Sequence, residues 1–310
     1  MQSSVDANTP LLMALKLIAL LSLLAGGPIF ADTFSQLSLS VGDESNLPRG
    51  LDSQHEKSSI FTTVEYSLGK FYEVGLKNSI TISGQLGFTK FNELSRFDRA
   101  SYGASASYSY KLGLGAYAAR LGTNLSISHD ELTGEARDRD LVTLEFNYQK
   151  RLSPSWFVIT GIDYQSSRSE SLPDDATLSS FGYAPVDRLS YELFDYDSFS
   201  AFAELEYAFE NGVLVSGGYR RINGHTVSST TLPTHALYNI SKAVYVDPAF
   251  RAGWLAYLLE ANTNEWSVGA SIPTGIDSSI NIGYGFYDIS GPSGRDYENR
   301  IVSISFVHNF

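Results

Sequence analysis

His129 sits in Ser128-His129-Asp130-Glu131, inside a run of alternating residues. Side chains at i and i+2 of a strand share a face, so a hydroxyl two residues from this histidine could be activated by it as a nucleophile. Glu131 holds that position, so His129 has no nucleophile to activate and reads as an interfacial histidine. Asp138-Arg139-Asp140 and Asp195-Tyr196-Asp197 have the Asp-x-Asp spacing of paired carboxylates that activate water, but no Asp-x-His partner accompanies them. Glu170, Asp174, Asp175, Asp187, Glu192, Asp195 and Asp197 crowd one stretch, yet they lack the spacing of a calcium loop and read as a solvated acidic segment. Nothing resembles a phosphate-cradling loop or H-E-x-x-H, and there is no cysteine, so no metal or cofactor is expected. The net charge of −12 argues against nucleic acid as a partner.

The elements that carry these residues are strands. Ile80, Ile82, Leu86 and Phe88 alternate with Thr81, Ser83, Gln85, Gly87 and Thr89. Tyr102, Ala104, Ala106, Tyr108 and Tyr110 alternate with serine and glycine, and Val142, Leu144, Phe146 and Tyr148 with Thr143, Glu145, Asn147 and Gln149. Such period-two segments of about ten residues match membrane-spanning strands. They are expected at 33–42, 58–69, 78–91, 98–112, 115–129, 139–151, 155–167, 197–209, 212–224, 253–272, 277–289 and 298–310. The count of ~12 is even, which keeps both ends of the chain on the periplasmic side. In 253–272 the apolar phase switches from odd (Leu255, Tyr257, Leu259) to even (Trp266, Val268, Ala270), which a bulge near 262–264 or a strand rising above the membrane would explain.

Connections alternate in length. Short ones lie at 112–115, 151–154, 209–212 and 273–277, and long ones at 43–57, 168–196 and 225–252, the asymmetry of short periplasmic turns and longer external loops. Asn211-Gly212 marks a tight hairpin. Aromatics on the apolar face sort by height: Tyr66, Tyr110, Tyr117, Tyr148, Trp156, Tyr207 and Phe209 at the turn end, Phe88, Tyr102, Tyr164, Phe199, Tyr219 and Phe286 nearer the loop end. Two interfacial girdles flanking an apolar band suit a lipid bilayer; a soluble sandwich has no reason to sort aromatics this way. The fold expected is an all-β, transmembrane, antiparallel up-and-down barrel over 32–310.

The first 31 residues read as a secretory signal peptide. Lys16 precedes the apolar run Leu17–Ala25, and Gly26-Gly27-Pro28 leads to Ala31, after which cleavage is expected; Met13 is an alternative start. That run is too short for a membrane helix.

By phase, the inward face carries Glu65, Lys111, Arg120, Glu145, Asp163, Glu204, Glu206 and Arg220 among Ser, Gly, Thr, Asn and Gln. Ionisable groups at membrane depth face water or each other, so these are the pore-lining candidates. Their acidic excess predicts cation preference. Glu204 and Arg220, on strands joined by the tight turn, are expected to pair across the lumen wall. Two functions follow: a narrow channel for ions or small polar solutes, or a non-conducting barrel whose loops 168–196 and 225–252 bind a partner.

The last segment, Ile301-Val302-Ser303-Ile304-Ser305-Phe306-Val307-His308-Asn309-Phe310, resembles the C-terminal strand of porin-like bacterial outer-membrane barrels, with matches at Val302, Ile304, Phe306 and the terminal Phe310. It departs from that pattern at His308, where an aromatic is more usual, and at Ser305, where Gly is common. The resemblance implies recognition by the barrel-assembly machinery and contact with outer-membrane lipid and lipopolysaccharide.

Overall fold

The computed structural model describes residues 29–51, 54–133, 137–169, 193–231, 237, 240–247, 249–250 and 253–310. The strands are β1 (Ile29–Glu44), β2 (Ser59–Val74), β3 (Asn78–Phe91), β4 (Arg99–Lys111), β5 (Arg120–Leu132), β6 (Arg139–Arg151), β7 (Trp156–Ser169), β8 (Tyr196–Ala208), β9 (Leu214–Thr230), β10 (Ala243–Val246), β11 (Leu255–Pro273), β12 (Ser278–Ser290) and β13 (Asp296–Asn309). Each long strand pairs antiparallel with its neighbour in chain order from β1 to β9 and from β11 to β13, and the short β10 pairs with β11 alone. Two further pairings, β1 with β13 and β9 with β11, close the twelve long strands into a barrel. Closure leaves no unpaired edge in lipid, which is what permits a sheet to span a bilayer.

The outer face is the apolar one. Leu121, Leu144, Ile162, Leu205, Val215, Ile280, Ile282 and Ile304 are each more than a third exposed. Leu125, Val142 and Val158 share their phase through the pairs Leu125↔Leu144, Val142↔Ile127 and Val158↔Leu205. Side chains that would be a core in a soluble sandwich face outward as one belt. Aromatic clusters cap it: Trp156, Tyr207 and Phe209 touch at the turn end, and Tyr219, Trp266 and Phe286 nearer the loop end. The molecule is a closed antiparallel β-barrel with the apolar outer belt of a membrane-spanning barrel.

Several boundaries differ from the sequence reading. β2 runs on to Val74, so Tyr66, opposite Leu37 and Leu86, lies mid-strand instead of at the turn end, where Tyr72 stands. The β4–β5 turn spans 112–119 and contains Tyr117, because two glycines and Leu112 N–H donating to the Ala119 carbonyl (2.8 Å) hold a longer loop than a four-residue hairpin. The hairpin at Asn211-Gly212 is a three-residue loop: Phe209 N–H donates to the Val213 carbonyl (2.9 Å), and Gly212 takes the left-handed conformation (φ 84°) that closes it. β1 begins at Ile29, ahead of the expected cleavage, and its pairing with β13 begins at Gln36.

β11 contains no bulge. Its register with β9 runs unbroken from Leu255↔Thr230 to Ser271↔Leu214. The phase switch arises because residues 255–261 project above the membrane with β9 residues 224–230 and the short β10. Leu255, Tyr257, Leu259, Ala256 and Leu258 are all buried there, in one cluster with Leu193, Phe194, Val227, Leu237, Val244 and Tyr245. A small apolar core stands over the barrel mouth, so odd residues are apolar above the membrane and polar within it. The expected loops shrink accordingly: residues 168–169 belong to β7, residue 196 to β8 and 225–230 to β9. Glu170, Asp174, Asp175, Asp187 and Glu192 lie outside the described residues.

Candidate functional site: the lumen and its mouth

The strand phase that turns the belt outward turns the remaining residues inward, and along most of the wall these are small. Gln36, Ser38, Ser40, Ser83, Gln85, Ser105, Ser107, Ser126, Ser216, Ser267, Asn281 and Ser303 share this phase, with cross-wall hydrogen bonds such as Ser83 to Ser105 (2.8 Å). Small side chains leave space in the lumen, and Glu65, Gln85 and Arg120 stay exposed although they share the inward phase.

The eight candidate residues fall on this face in three groups. Lys111 and Arg120 stand directly opposite each other at the turn end of β4 and β5. Glu204 and Glu206 lie on β8 opposite Gly218 and Ser216, and Glu65 on β2 lies between Ser38 and Gly87. Neither Glu65, Glu204 nor Glu206 has an ion-pair partner among the described residues. Glu145, which accepts from Asn147 Nδ2 (2.7 Å), is the cross-strand neighbour of Asp163.

Arg220 does not reach Glu204. Its guanidinium bridges Asp163 on β7, donates to Ser200 Oγ (3.1 Å) and lies 3.8 Å from a Glu265 carboxylate oxygen on β11. Register decides this. Phe202 stands opposite Arg220 on β8, and its ring lies under the guanidinium (4.7 Å), blocking the way down to Glu204. Gly161 makes room for that ring: a Cβ there would come within 2.6 Å of Phe202 Cζ. Glu265 is the direct partner of Arg220 across β9–β11, so one cation on β9 joins carboxylates on two other strands, β7 and β11. The phase of Glu265 was hidden by the apolar switch in β11.

The mouth is of another kind. From the end of β1, residues 45–51 fold inward instead of away. Ser45 N–H donates to the Arg300 carbonyl (2.9 Å), and Asn46 holds Gly50 N–H (2.8 Å) and reaches the Glu298 carbonyl (3.2 Å). Pro48 then accepts from Ser229 N–H (3.0 Å), Ser228 Oγ donates to the Arg49 carbonyl (2.6 Å), and Arg49 Nη1 donates to Thr226 Oγ1 (3.3 Å). The segment thus reaches β9, four strands away round the wall. Arg49 has φ 55°, an unfavourable conformation for a residue with a Cβ, retained because hydrogen bonds fix both of its neighbours.

Two cavities flank Arg49. One of about 250 Å³ is lined by Glu44, Tyr196, Thr226, Tyr287, Tyr297 and Asn299 among others. The second, of about 190 Å³, has Arg49, Arg99, Arg137 and Arg139 on its walls with Glu44 as its lining carboxylate. Asp130 is shared by Arg139 (3.0 Å) and Arg99 (3.6 Å), and Arg137 is fixed on Asp247 (2.6 Å) between the rings of Phe97 and Phe194. Arg99, Asp130, Arg139 and Glu44 follow from strand phase carried to the strand ends; Arg49, Arg137 and Asp247 lie in loops that give no such signal.

The Asp-x-Asp pairs do not assemble a site. Asp138 accepts from Leu132 N–H (2.6 Å) and Asp195 from Ser169 N–H (2.6 Å), both as loop caps. Asp140 pairs with His129 (2.9 Å) and Asp197 with Arg168 (3.0 Å) on the outer face. The His129 ring also packs on Tyr102 (5.1 Å between centroids).

No known protein family and no curated protein matches the chain. Solved structures do. An outer membrane channel from Pseudomonas putida F1 aligns over 89% of this chain and 95% of its own, at 14% identity and TM-score 0.54, which establishes a common fold. The KdgM porin in complex with disordered oligogalacturonate covers 89% of this chain and 99% of its own (7% identity, TM-score 0.46), and the P. putida toluene transporter TodX 90% of each (12%, 0.44).

Proposed function

We propose that the chain is a passive channel for ions or small polar solutes across the outer membrane, narrowed at its outer mouth by residues 45–51. The observation that carries this is the contrast inside the barrel. Below the mouth the inward residues are small and polar, and Glu65, Gln85 and Arg120 are exposed in a wall built of serine and glycine. A filled barrel would bury such residues in paired networks. The eight candidates Glu65, Lys111, Arg120, Glu145, Asp163, Glu204, Glu206 and Arg220 line the path on this reading. Single-channel recording of the refolded protein in planar bilayers tests it; a folded barrel that conducts nothing at any voltage rejects it.

A second reading, a non-conducting barrel that presents its external loops to a partner, is supported by the apolar core over the mouth. The same recording separates the two. No catalytic role is proposed: phospholipase, lipid A deacylase and protease assays are expected to read as blanks, and turnover abolished by His129→Ala would overturn this. Residues 1–31 are proposed as a cleaved signal peptide. Val302, Ile304, Phe306 and Phe310, all exposed on the outer face at the chain end, are proposed as the signal read by the assembly machinery, with outer-membrane lipid and lipopolysaccharide as surroundings.

A further inference from the structure

The smaller mouth cavity has a mixed lining: the guanidinium groups of Arg49, Arg99 and Arg139 and the carboxylate of Glu44 share it with apolar Leu47, Phe91, Phe97, Leu132, Phe194 and Val227. We propose that this cavity is a binding site for a small amphipathic carboxylate, one with an aromatic or short aliphatic body, taken up by the channel on its way inward. The proposal rests on the channel reading and specifies its substrate class.

The arginines have unspent hydrogen-bonding capacity. Arg137 is committed: its Nε and Nη2 grip both oxygens of Asp247 (3.2 and 2.6 Å), Nη2 also reaches Ser229 Oγ (3.1 Å), and two aromatic rings sandwich it. Asp130 offers the same Oδ2 to Arg139 and to Arg99, so one carboxylate oxygen serves two guanidinium groups. Arg139 adds only a 3.4 Å contact to Tyr196 Oη. Arg99 Nε is buried and meets no acceptor among the described residues. Arg49 has a neutral hydroxyl as its hydrogen-bonding partner, Thr226. Glu44, the one carboxylate in the lining, makes no ion pair among the described residues and accepts from Asn299 Nδ2 (2.8 Å). A planar guanidinium with free donors matches a carboxylate's two oxygens, and such charge-assisted pairs are the strong ones where water is partly excluded.

The apolar part of the lining argues for the body of the ligand. A site for inorganic phosphate or sulfate has no use for Phe91, Phe97 and Phe194 in its lining, and a hydrocarbon site has no use for the arginines. Small-molecule sites in proteins combine an apolar lining with a few convergent polar groups. At ~30 Å³ per water, a cavity of about 190 Å³ has the volume of roughly six waters, which suits a single ring or a short chain.

The test uses the refolded full chain in detergent micelles, with benzoate as probe, benzyl alcohol as its neutral counterpart and inorganic phosphate as the anion without an apolar body. Titration calorimetry is expected to show saturable benzoate binding, with both controls at least tenfold weaker. Arg99→Gln and, separately, Arg49→Gln should each weaken benzoate at least tenfold, while Arg168→Gln on the outer face leaves it unchanged. Heat-modifiable gel mobility verifies that each variant is folded. Equal binding of benzyl alcohol, equal binding of phosphate, or benzoate affinity indifferent to both cavity variants overturns the proposal. Channel recording is independent of this result. A conducting barrel that does not bind benzoate sinks the site alone, and a silent barrel that binds it sinks the channel alone.

Discussion

The two ends of the lumen obey different rules. At the mouth, four arginines, three carboxylates and a cluster of aromatic residues are brought together by an inward-folded segment, and most of the charges are paired. Glu204 and Glu206 toward the turn end, and Glu65 at mid-height, stand among serines and glycines without ion-pair partners among the described residues. The Arg220 cluster lies between, joining β7, β9 and β11. The difference separates two roles for charge. Paired charges in a confined space set geometry, while unpaired charges on the wall would, in the proposed channel, set the field that a permeating ion meets.

The largest effect is expected from removing the mouth closure. Replacing residues 46–50 by a glycine-serine linker should raise single-channel conductance several-fold, because the segment's contacts to Ser228 and Ser229 are then lost. Unchanged conductance would show that the narrowest point lies elsewhere. Next comes Asp163→Asn. It leaves Arg220 facing Glu265 alone, with Asp163 itself 8% exposed. Losing one partner of a buried pair costs about 3–5 kcal/mol, and water around Arg220, whose side chain is 34% exposed, reduces this to roughly 1–3 kcal/mol. Urea midpoints in lipid vesicles measure it; a loss below ~0.5 kcal/mol would reduce the cluster to an ordinary exposed pair. Glu65→Gln, with no partner to abandon, serves as the contrast and should leave the midpoint in place.

Selectivity should respond in opposite directions at the two ends. Glu204→Gln combined with Glu206→Gln removes negative charge from the open wall and should lower the potassium-to-chloride permeability ratio. Arg99→Gln removes a cation at the mouth and should raise it. Reversal potentials under a salt gradient decide this, and a shift of the same sign in both variants would break the comparison. The smallest effect belongs to Arg168→Gln. Arg168 and Asp197 are both about half exposed, and such pairs contribute ~0–1 kcal/mol, so a urea midpoint shift beyond that range would show that the outer-face ladder matters more than its exposure suggests.

The barrel itself was legible in the sequence because it needs only local information. Alternation such as Ile80-Thr81-Ile82-Ser83 states which residues face lipid, and a closed sheet in a bilayer must satisfy that pattern on every strand. Ten-residue segments with aromatic ends then fix strand number and orientation, and both survive errors of a few residues at strand ends, as with Tyr66 and Tyr117. The phase also brings Glu65, Glu145, Asp163, Glu204 and Arg220 to one face without any knowledge of partners.

Which of these touch was decided by tertiary structure alone. Phase gives a side chain its face, whereas pairing depends on register between strands and on what lies between them. A ring of Phe202 over Gly161 turns Arg220 from Glu204 to Asp163 and Glu265. The arginine-lined mouth was still less accessible, because Arg49, Arg137 and Asp247 come from loops without periodicity and meet across a closed barrel. The strained backbone of Arg49 and the 253–261 extension have the same origin: their conformations are set by contacts far apart in the chain, with Ser228 and Thr226 for the one and β10 and Leu193 for the other. Lipid imposes its constraint residue by residue and so writes it into sequence, while the interior answers only to the closed three-dimensional arrangement.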